Sequence, residues 1–175
     1  MYCLQTIHIY FVALNKYYNK KMKRYLVALL VVGFSACKKD SNVTQEQRNK
    51  MDDAIVEAYI TQNNIVAQKD SASGLYFRII ESGNSTKPLI SSNVIVKYIG
   101  YRMDTGSKFA EASTGQTLHL GGLIKGWQIG LQKIGEGGMI DLFIPSYLAY
   151  GNMPYGGLPP NSNLYYRVHI LTVEN

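Results

Sequence analysis

"LIKGWQIGLQKIG", residues 123–135, is the stretch on which the fold turns. Ile124, Trp127, Leu131 and Ile134 recur at spacings of three, four and three, which marks one face of an α-helix. Gly135 stands where a helix C-cap belongs. Trp127 is the only tryptophan in 175 residues, and it follows a glycine just inside this helix. A lone tryptophan here reads either as a core anchor or as the floor of an aromatic pocket. On both sides of the helix the apolar period changes to two. In "NVIVKYIG" (93–100), Val94, Val96 and Tyr98 share one face. In "LYYRVHIL" (164–171), Tyr166, Val168 and Ile170 share one face, and Tyr165, Arg167 and His169 the other. "GLYFRII" (74–80) and "MIDLFIP" (139–145) are further strand-like runs. Several antiparallel strands with one short helix to cover a sheet face make an α+β domain.

Upstream of these strands, Thr44 to about Ala67 reads as a further helix. Thr44 and Gln47 have capping-box spacing, and Met51, Ile55, Tyr59 and Ile60 form a weak apolar stripe. Asp70 to Gly74 is the break that follows.

The net charge of +6 points away from nucleic acid once it is located. Residues 1–37 hold Lys16, Lys20, Lys21, Lys23 and Arg24 and no acid. Residues 38–175 carry 13 Lys and Arg against 12 Asp and Glu, whereas a nucleic-acid binder shows a basic face on its folded domain. Two of these early charges, Lys23 and Arg24, open an export signal, and the other three precede it. In "MKRYLVALLVVGFSAC" (22–37), Lys23 and Arg24 precede a 12-residue apolar run, too short for the roughly 20 residues that a membrane-spanning helix needs. The close on Ser35-Ala36-Cys37 resembles the lipobox of bacterial lipoproteins, with Phe34 in place of the usual leucine. The resemblance implies that Cys37 is lipidated and becomes the mature first residue, anchored to a membrane of the bacterial cell envelope. Residues 1–21 then read as an over-extended start, 22–36 as the signal peptide, 37–43 as a tether, 44–69 as the N-terminal helix, and 70–175 as the functional domain. The only cysteines, Cys3 and Cys37, both precede that domain, so thiol catalysis within it is excluded.

Five pieces in order, "VKYIGY" (96–101), "SKF" (107–109), "LGGLIKGWQIGL" (120–131), "IPSYLAYG" (144–151) and "LPPNSNLYYRVHIL" (158–171), resemble the FKBP family of peptidyl-prolyl cis-trans isomerases. The resemblance implies a bent antiparallel sheet wrapped around one short helix. It implies that Trp127 is the pocket floor under a substrate proline, and that Tyr98, Phe109 and Tyr166 are wall residues. Tyr150 is the implied rim tyrosine, Leu123 and Ile124 contact a bound peptide through their backbone, and Leu158 lies in the long mobile loop above the site. Proline-containing exported polypeptides are the implied substrates, and macrolides such as tacrolimus or rapamycin the implied ligands. The implied reaction needs no cofactor and no metal. His119 and His169 lack partners at ligand spacing and read as structural.

Two positions depart from the family pattern. Ala110 follows Phe109 where the family commonly has aspartate, and Gln116 stands where a wall aromatic is common. An alanine cannot replace a carboxylate, and Glu111 would have to come from the opposite face of its strand. Two readings follow: an active isomerase, or a weakly catalytic or inactive binding or chaperone-like module on the same fold.

Overall fold

Period-two burial builds the sheet of the computed structural model, which describes residues 43–175. Six antiparallel strands lie in the order β1-β2-β5-β6-β3-β4. They are β1 (Gln68–Lys69), β2 (Tyr76–Glu81), β3 (Asn93–Arg102), β4 (Lys108–His119), β5 (Met139–Ile144) and β6 (Leu164–Glu174). Val94 and Val96 on β3, and Tyr166, Val168 and Ile170 on β6, are buried on one face, as their alternation requires.

β4 is the strand that alternation does not announce. "KFAEASTGQTLH" is mostly polar, and it becomes a strand by pairing with β3 at the sheet edge. Tyr98 faces Ala112 while Val96 faces Gln116, so β4 carries extra, bulged residues between these pairs. The bulge bends the edge strand beside the aromatic cage described below.

The helix expected around Trp127 is present as α2 (Lys125–Leu131), and it is shorter than its apolar spacing suggests. Ile124 is its N-cap, and Gln132, still in right-handed helical geometry, is its C-cap. Gly135 is therefore not a C-cap. A side chain there would collide with the Asn84 carbonyl, so the glycine serves close contact between two loops. Gly126 and Gly130 have a related role. A β-carbon on Gly126 would lie 2.6 Å from Ile144 Cγ2, and one on Gly130 would overlap Leu142 Cδ2. Their bare backbone lets α2 lie directly on β5. Leu131, Ile134, Ile140, Leu142 and Val168 fill the core between this helix and the sheet.

The N-terminal helix, α1 (Gln45–Gln62), starts at the expected capping box. Thr44 Oγ1 accepts from the Gln47 N–H at 3.2 Å, and Gln47 Oε1 accepts from the Thr44 N–H at 2.9 Å. It ends before the expected Ala67. Asn63 folds its side-chain amide back onto the Tyr59 carbonyl at 2.8 Å, and Asn64 takes a positive φ of 52°, a conformation that asparagine tolerates. The chain then adds β1 to the sheet edge, so residues 68–69 are strand rather than helix.

The buried stripe of α1 also differs by one position from the expected one. Asp52 and Val56 are buried, whereas Met51 and Ile55 stand half exposed. Val56 packs with Tyr76, Met103 and Phe143 in a second core, flanked by Tyr59, Ile60 and Tyr165. The sheet is thus covered on both faces, by α2 on one and α1 on the other. Among the described residues no helix is long and apolar enough to cross a membrane.

Candidate active site

Four aromatic rings meet where α2 begins. Trp127 is 4 % exposed, and its ring centroid lies 5.1 Å from those of both Tyr98 and Tyr166, edge-on to each. Phe109 packs edge-on to Tyr166 at 5.4 Å, and Tyr98 to Tyr166 at 6.2 Å. Edge-to-face contact sets the positive rim of one ring against the negative face of another, and so favours a rigid cage. The strands supply the walls through their alternation: Tyr98 from β3, Phe109 from β4 and Tyr166 from β6. Trp127 joins this cage to the main core, so the position expected as either core anchor or pocket floor is buried in the core and edged by the three rings. Its buried indole N–H makes no hydrogen bond among the described residues.

Two supporting residues have no assigned role in the sequence reading. Gly100 continues the inward face of Val94, Val96 and Tyr98, and a β-carbon on it would lie 2.6 Å from Tyr166 Cε1 and 3.2 Å from Phe109 Cε1. Its missing side chain is the space those two rings occupy, a signal present in the alternation of 94, 96, 98 and 100. Gln128, buried on α2, donates from Nε2 to the carbonyls of Gly121 at 3.0 Å and Leu123 at 2.7 Å. It thereby holds the segment carrying Leu123 and Ile124. Ile124, as N-cap, accepts at its carbonyl from Trp127 N–H at 3.0 Å, and its own N–H falls outside the helical ladder.

Tyr150 follows the 3-10 turn Ser146–Leu148, and its ring stacks on Tyr155 at 4.0 Å. Burial, reinforced by Tyr155, pushes the Tyr150 phenol up to about 12. Burial, then the neighbouring Tyr150 and Tyr98, raises Tyr166 well above the ordinary tyrosine range. Both phenols are neutral donors throughout the physiological range. Leu158 is 2 % exposed and belongs to the main core. Backbone hydrogen bonds in both directions between Tyr155 and Leu158, at 3.1 and 2.7 Å, close the loop that carries it.

The departures from the family pattern have structural counterparts. Ala110 leaves its place in the wall without a carboxylate, and Glu111 is turned away to pair with Lys108 at 2.5 Å. The Tyr98 phenol donates instead to Gln116 Oε1 at 3.1 Å. Among the described residues no group of three or more His, Cys, Asp or Glu is placed to hold a metal.

Carboxylate chemistry lies instead on the opposite sheet face. Asp141, fully buried, accepts from Arg78 at 2.6 Å, Arg167 at 2.8 and 3.0 Å, and the Tyr165 phenol at 3.1 Å. Burial alone would raise this carboxyl, but the two arginines overcome it and hold it below the usual range. The cluster ties β2, β5 and β6 together and takes no part in the cage.

Comparison with known proteins agrees with this geometry. Residues 84–171 match the FKBP-type peptidyl-prolyl cis-trans isomerase family. The chain is 41 % identical over 109 residues to the FKBP-type peptidyl-prolyl cis-trans isomerase FkpA of Escherichia coli, covering 61 % of this chain and 40 % of that protein. It is 32 % identical over 137 residues to the outer membrane protein MIP of Legionella longbeachae, covering 76 % and 57 % of the two chains. The crystal structure of Escherichia coli FkpA is similar with a TM-score of 0.64 at 29 % identity, over 96 % of this chain and 78 % of that one. A peptidyl-prolyl cis-trans isomerase structure from Pseudomonas syringae shares the fold with the same TM-score at 24 % identity, over 77 % of this chain and 99 % of that one. The chain spans about two fifths of the length of the FkpA relatives it matches. With its cage, its helix and its match over half the sequence, the chain belongs to the FKBP-type peptidyl-prolyl cis-trans isomerase family.

Proposed function

We propose that this protein catalyses rotation about X-Pro amide bonds in exported polypeptides and so assists their folding at the cell envelope. The observation that carries this reading is the cage of Trp127, Tyr98, Phe109 and Tyr166, with neutral phenol donors at its rim. In this reading the proline ring rests on Trp127 between the three wall rings, the backbone of Leu123 and Ile124 contacts the peptide, and Leu158 belongs to the loop above the site.

The chemistry follows from amide resonance. An X-Pro bond rotates past a barrier of about 18–20 kcal/mol set by C–N double-bond character. Uncatalysed, this takes tens to hundreds of seconds. At the twisted transition state the resonance is lost, and the amide becomes less polar with its carbonyl redirected. An apolar, water-poor cleft favours that form over the planar, well-solvated one. The N–H of Ile124 and the phenol of Tyr150 are the donors that hold the rotated carbonyl. Each 1.36 kcal/mol of such differential binding is a factor of about ten in rate. Tacrolimus or rapamycin would occupy the same cage as ligands.

A specific observation favours a second reading. Ala110 and Gln116 leave the cage without its usual carboxylate and one wall aromatic, which suits a binding or chaperone-like module of low catalytic rate. A proline-isomerisation assay on a tetrapeptide, run on the full-length protein and on residues 44–175, separates the two. A rate no faster than the uncatalysed one, with the peptide bound, selects the second. Residues 44–175 are the shortest piece to use, because α1 contributes Val56 to the second core.

The envelope location rests on Met22 to Cys37, and Cys37 lies outside the described residues. Lipidation of Cys37 would place the domain on a membrane surface, with residues 37–43 as the tether. The name of the Legionella relative, an outer membrane protein, agrees with that setting. In a Cys37→Ser variant lipid labelling and membrane partitioning should both be lost, and unchanged partitioning would remove the lipoprotein assignment.

A further inference from the structure

Asp52 on α1 is a buried carboxylate that the isomerase reaction does not use. It is 2 % exposed, and its Oδ2 accepts from Ser146 Oγ at 2.5 Å. One residue on, Asp53 Oδ1 accepts from the Tyr147 phenol at 2.7 Å, and its Oδ2 from Lys69 at 2.9 Å. Two consecutive carboxylates of one helix therefore hold two consecutive residues of the 3-10 turn Ser146–Leu148. A buried carboxylate is costly unless hydrogen-bonded. The helix nevertheless turns Asp52 inward while Met51 and Ile55, the apolar residues of neighbouring positions, stand half exposed.

The turn so held leads directly to the pocket rim. The Ser146 carbonyl accepts from the N–H of Ala149 at 3.0 Å and of Gly151 at 2.8 Å, the two residues that flank Tyr150. The Ser146 N–H donates to Asn163 Oδ1 at 2.8 Å, at the far end of the loop that carries Tyr155 and Leu158. Ser146 is thus tied to both ends of that loop, and its hydroxyl is tied to α1.

We propose that Asp52 and Asp53 are positioning residues: α1 is a strut that fixes the Ser146–Tyr147 turn and, through it, the Tyr150 phenol over the proline site. This rests on the isomerase reading and adds that the helix supports the site rather than merely spacing the domain from its anchor. Asp52 acts only through Tyr150, so its removal lowers turnover and leaves proline binding by the cage largely intact.

The test compares wild type, Asp52→Ala, Asp52→Asn, Tyr150→Phe and the double variant Asp52→Ala with Tyr150→Phe in the full-length protein. On a proline tetrapeptide, Asp52→Ala should lower kcat about tenfold with little change in KM, as a misplaced group does. Asparagine can still accept from Ser146, so Asp52→Asn should restore most of the rate. Asp52→Ala should add little in the Tyr150→Phe background, because coupled residues are not additive. An equal loss in both backgrounds, or a folded Asp52→Ala protein at the wild-type rate, overturns the strut. Should Asp52→Ala not fold, Tyr147→Phe removes only a hydroxyl and is held to the same non-additivity. Ring chemical shifts of Tyr150 in the same variants report the phenol's position without catalysis. Shifts that move in Asp52→Ala and return in Asp52→Asn support the strut, and unmoved shifts overturn it. An inactive wild type overturns the isomerase reading alone.

Discussion

Tyr98 on β3 donates its phenol hydrogen to Gln116 Oε1 on β4, 3.1 Å away. The two departures from the family pattern therefore bear on one hydroxyl. Ala110 offers Tyr98 no carboxylate, and Gln116 offers an amide oxygen in its place. The bulge in β4 sets Gln116 opposite Val96, one inward position from Tyr98, which brings the amide within reach. The cage keeps its shape without a buried charge.

Trp127 should report ligand binding directly. It is the only tryptophan, so any change in emission needs no assignment. Saturation with a proline tetrapeptide or with rapamycin should shift its fluorescence, because the ligand replaces water over the cage. An unchanged spectrum at saturation, with binding shown independently by calorimetry, would remove Trp127 from the pocket floor.

Tyr150→Phe should lower kcat/KM by about tenfold, mainly through kcat, if its phenol holds the rotated carbonyl. In the wild type the rate should stay flat from acid to mildly alkaline pH. The Tyr150 phenol is raised to about 12, so it remains a donor well past the ordinary tyrosine range. The same shift carries a stability consequence. Tyrosines of the unfolded chain ionise near pH 10, while the folded ones hold their protons. Above about pH 10 the unfolded state binds fewer protons, so stability should fall until about pH 12. Thermal melts at pH 8, 10 and 11.5 check the sign, and a Tm that rises over this range would contradict it.

Gly100→Ala should weaken both fold and binding. The added methyl would press on Tyr166 at 2.6 Å, the less compliant side of a packed cage. Overpacking of this kind costs about 1–3 kcal/mol. Denaturant unfolding measures the loss, and Trp127 titration with the tetrapeptide measures affinity. A variant as stable and as tight-binding as wild type would show that the cage relaxes freely.

Asp141→Asn tests the ion cluster on the other face. Its arginine partners are partly exposed, so solvent moderates the loss to about 2 kcal/mol, below that of a fully buried pair. The arginines hold the Asp141 carboxyl below its unfolded value near 3.9, so its contribution is present above about pH 4 and lost as pH falls below that. Wild type should therefore lose stability between pH 4 and pH 2 more steeply than Asp141→Asn. Parallel pH–stability curves would show that other groups govern acid unfolding.

These residues also show what was legible in the chain. β3 and β6 alternate because each buries one face more deeply than the other, and alternation survives in sequence, whereas β5 is buried on both faces from Ile140 to Ile144 and reads as a short apolar run around Asp141. The α2 pattern at 124, 127, 131 and 134 is equally plain, yet Ile134 lies past the helix, since a turn beyond Leu131 still points it into the core. β4 is hidden because an edge strand with a bulge is half solvated and needs little apolar residue. Asp52 is hidden because burial of a charge depends on a partner, Ser146, that lies 94 residues away. Gln128 is hidden for a similar reason: its acceptors are backbone carbonyls, which carry no sequence signal.

The Ala110 position decides how much of the reaction rests on charge. In Ala110→Asp the new carboxylate would interact with the twisted amide more than with the planar one, and only such differential contacts raise the rate. An added interaction of about 1.4 kcal/mol gives roughly tenfold in kcat/KM. The cost is a carboxylate beside aromatic walls, whose pKa rises unless a donor is near. Tyr98 is the nearest candidate, but its hydrogen bond to Gln116 must first be released. Gln116→Leu removes that competing acceptor, so the double variant Ala110→Asp with Gln116→Leu should be faster than Ala110→Asp alone. Adding Tyr98→Phe should cancel the gain in both. The expected order of kcat/KM is thus the double variant, then Ala110→Asp, then wild type, with stability falling in the reverse direction. If the folded Ala110→Asp protein is no faster than wild type, with or without Gln116, then the cage works by shape and desolvation, and the missing carboxylate is neutral.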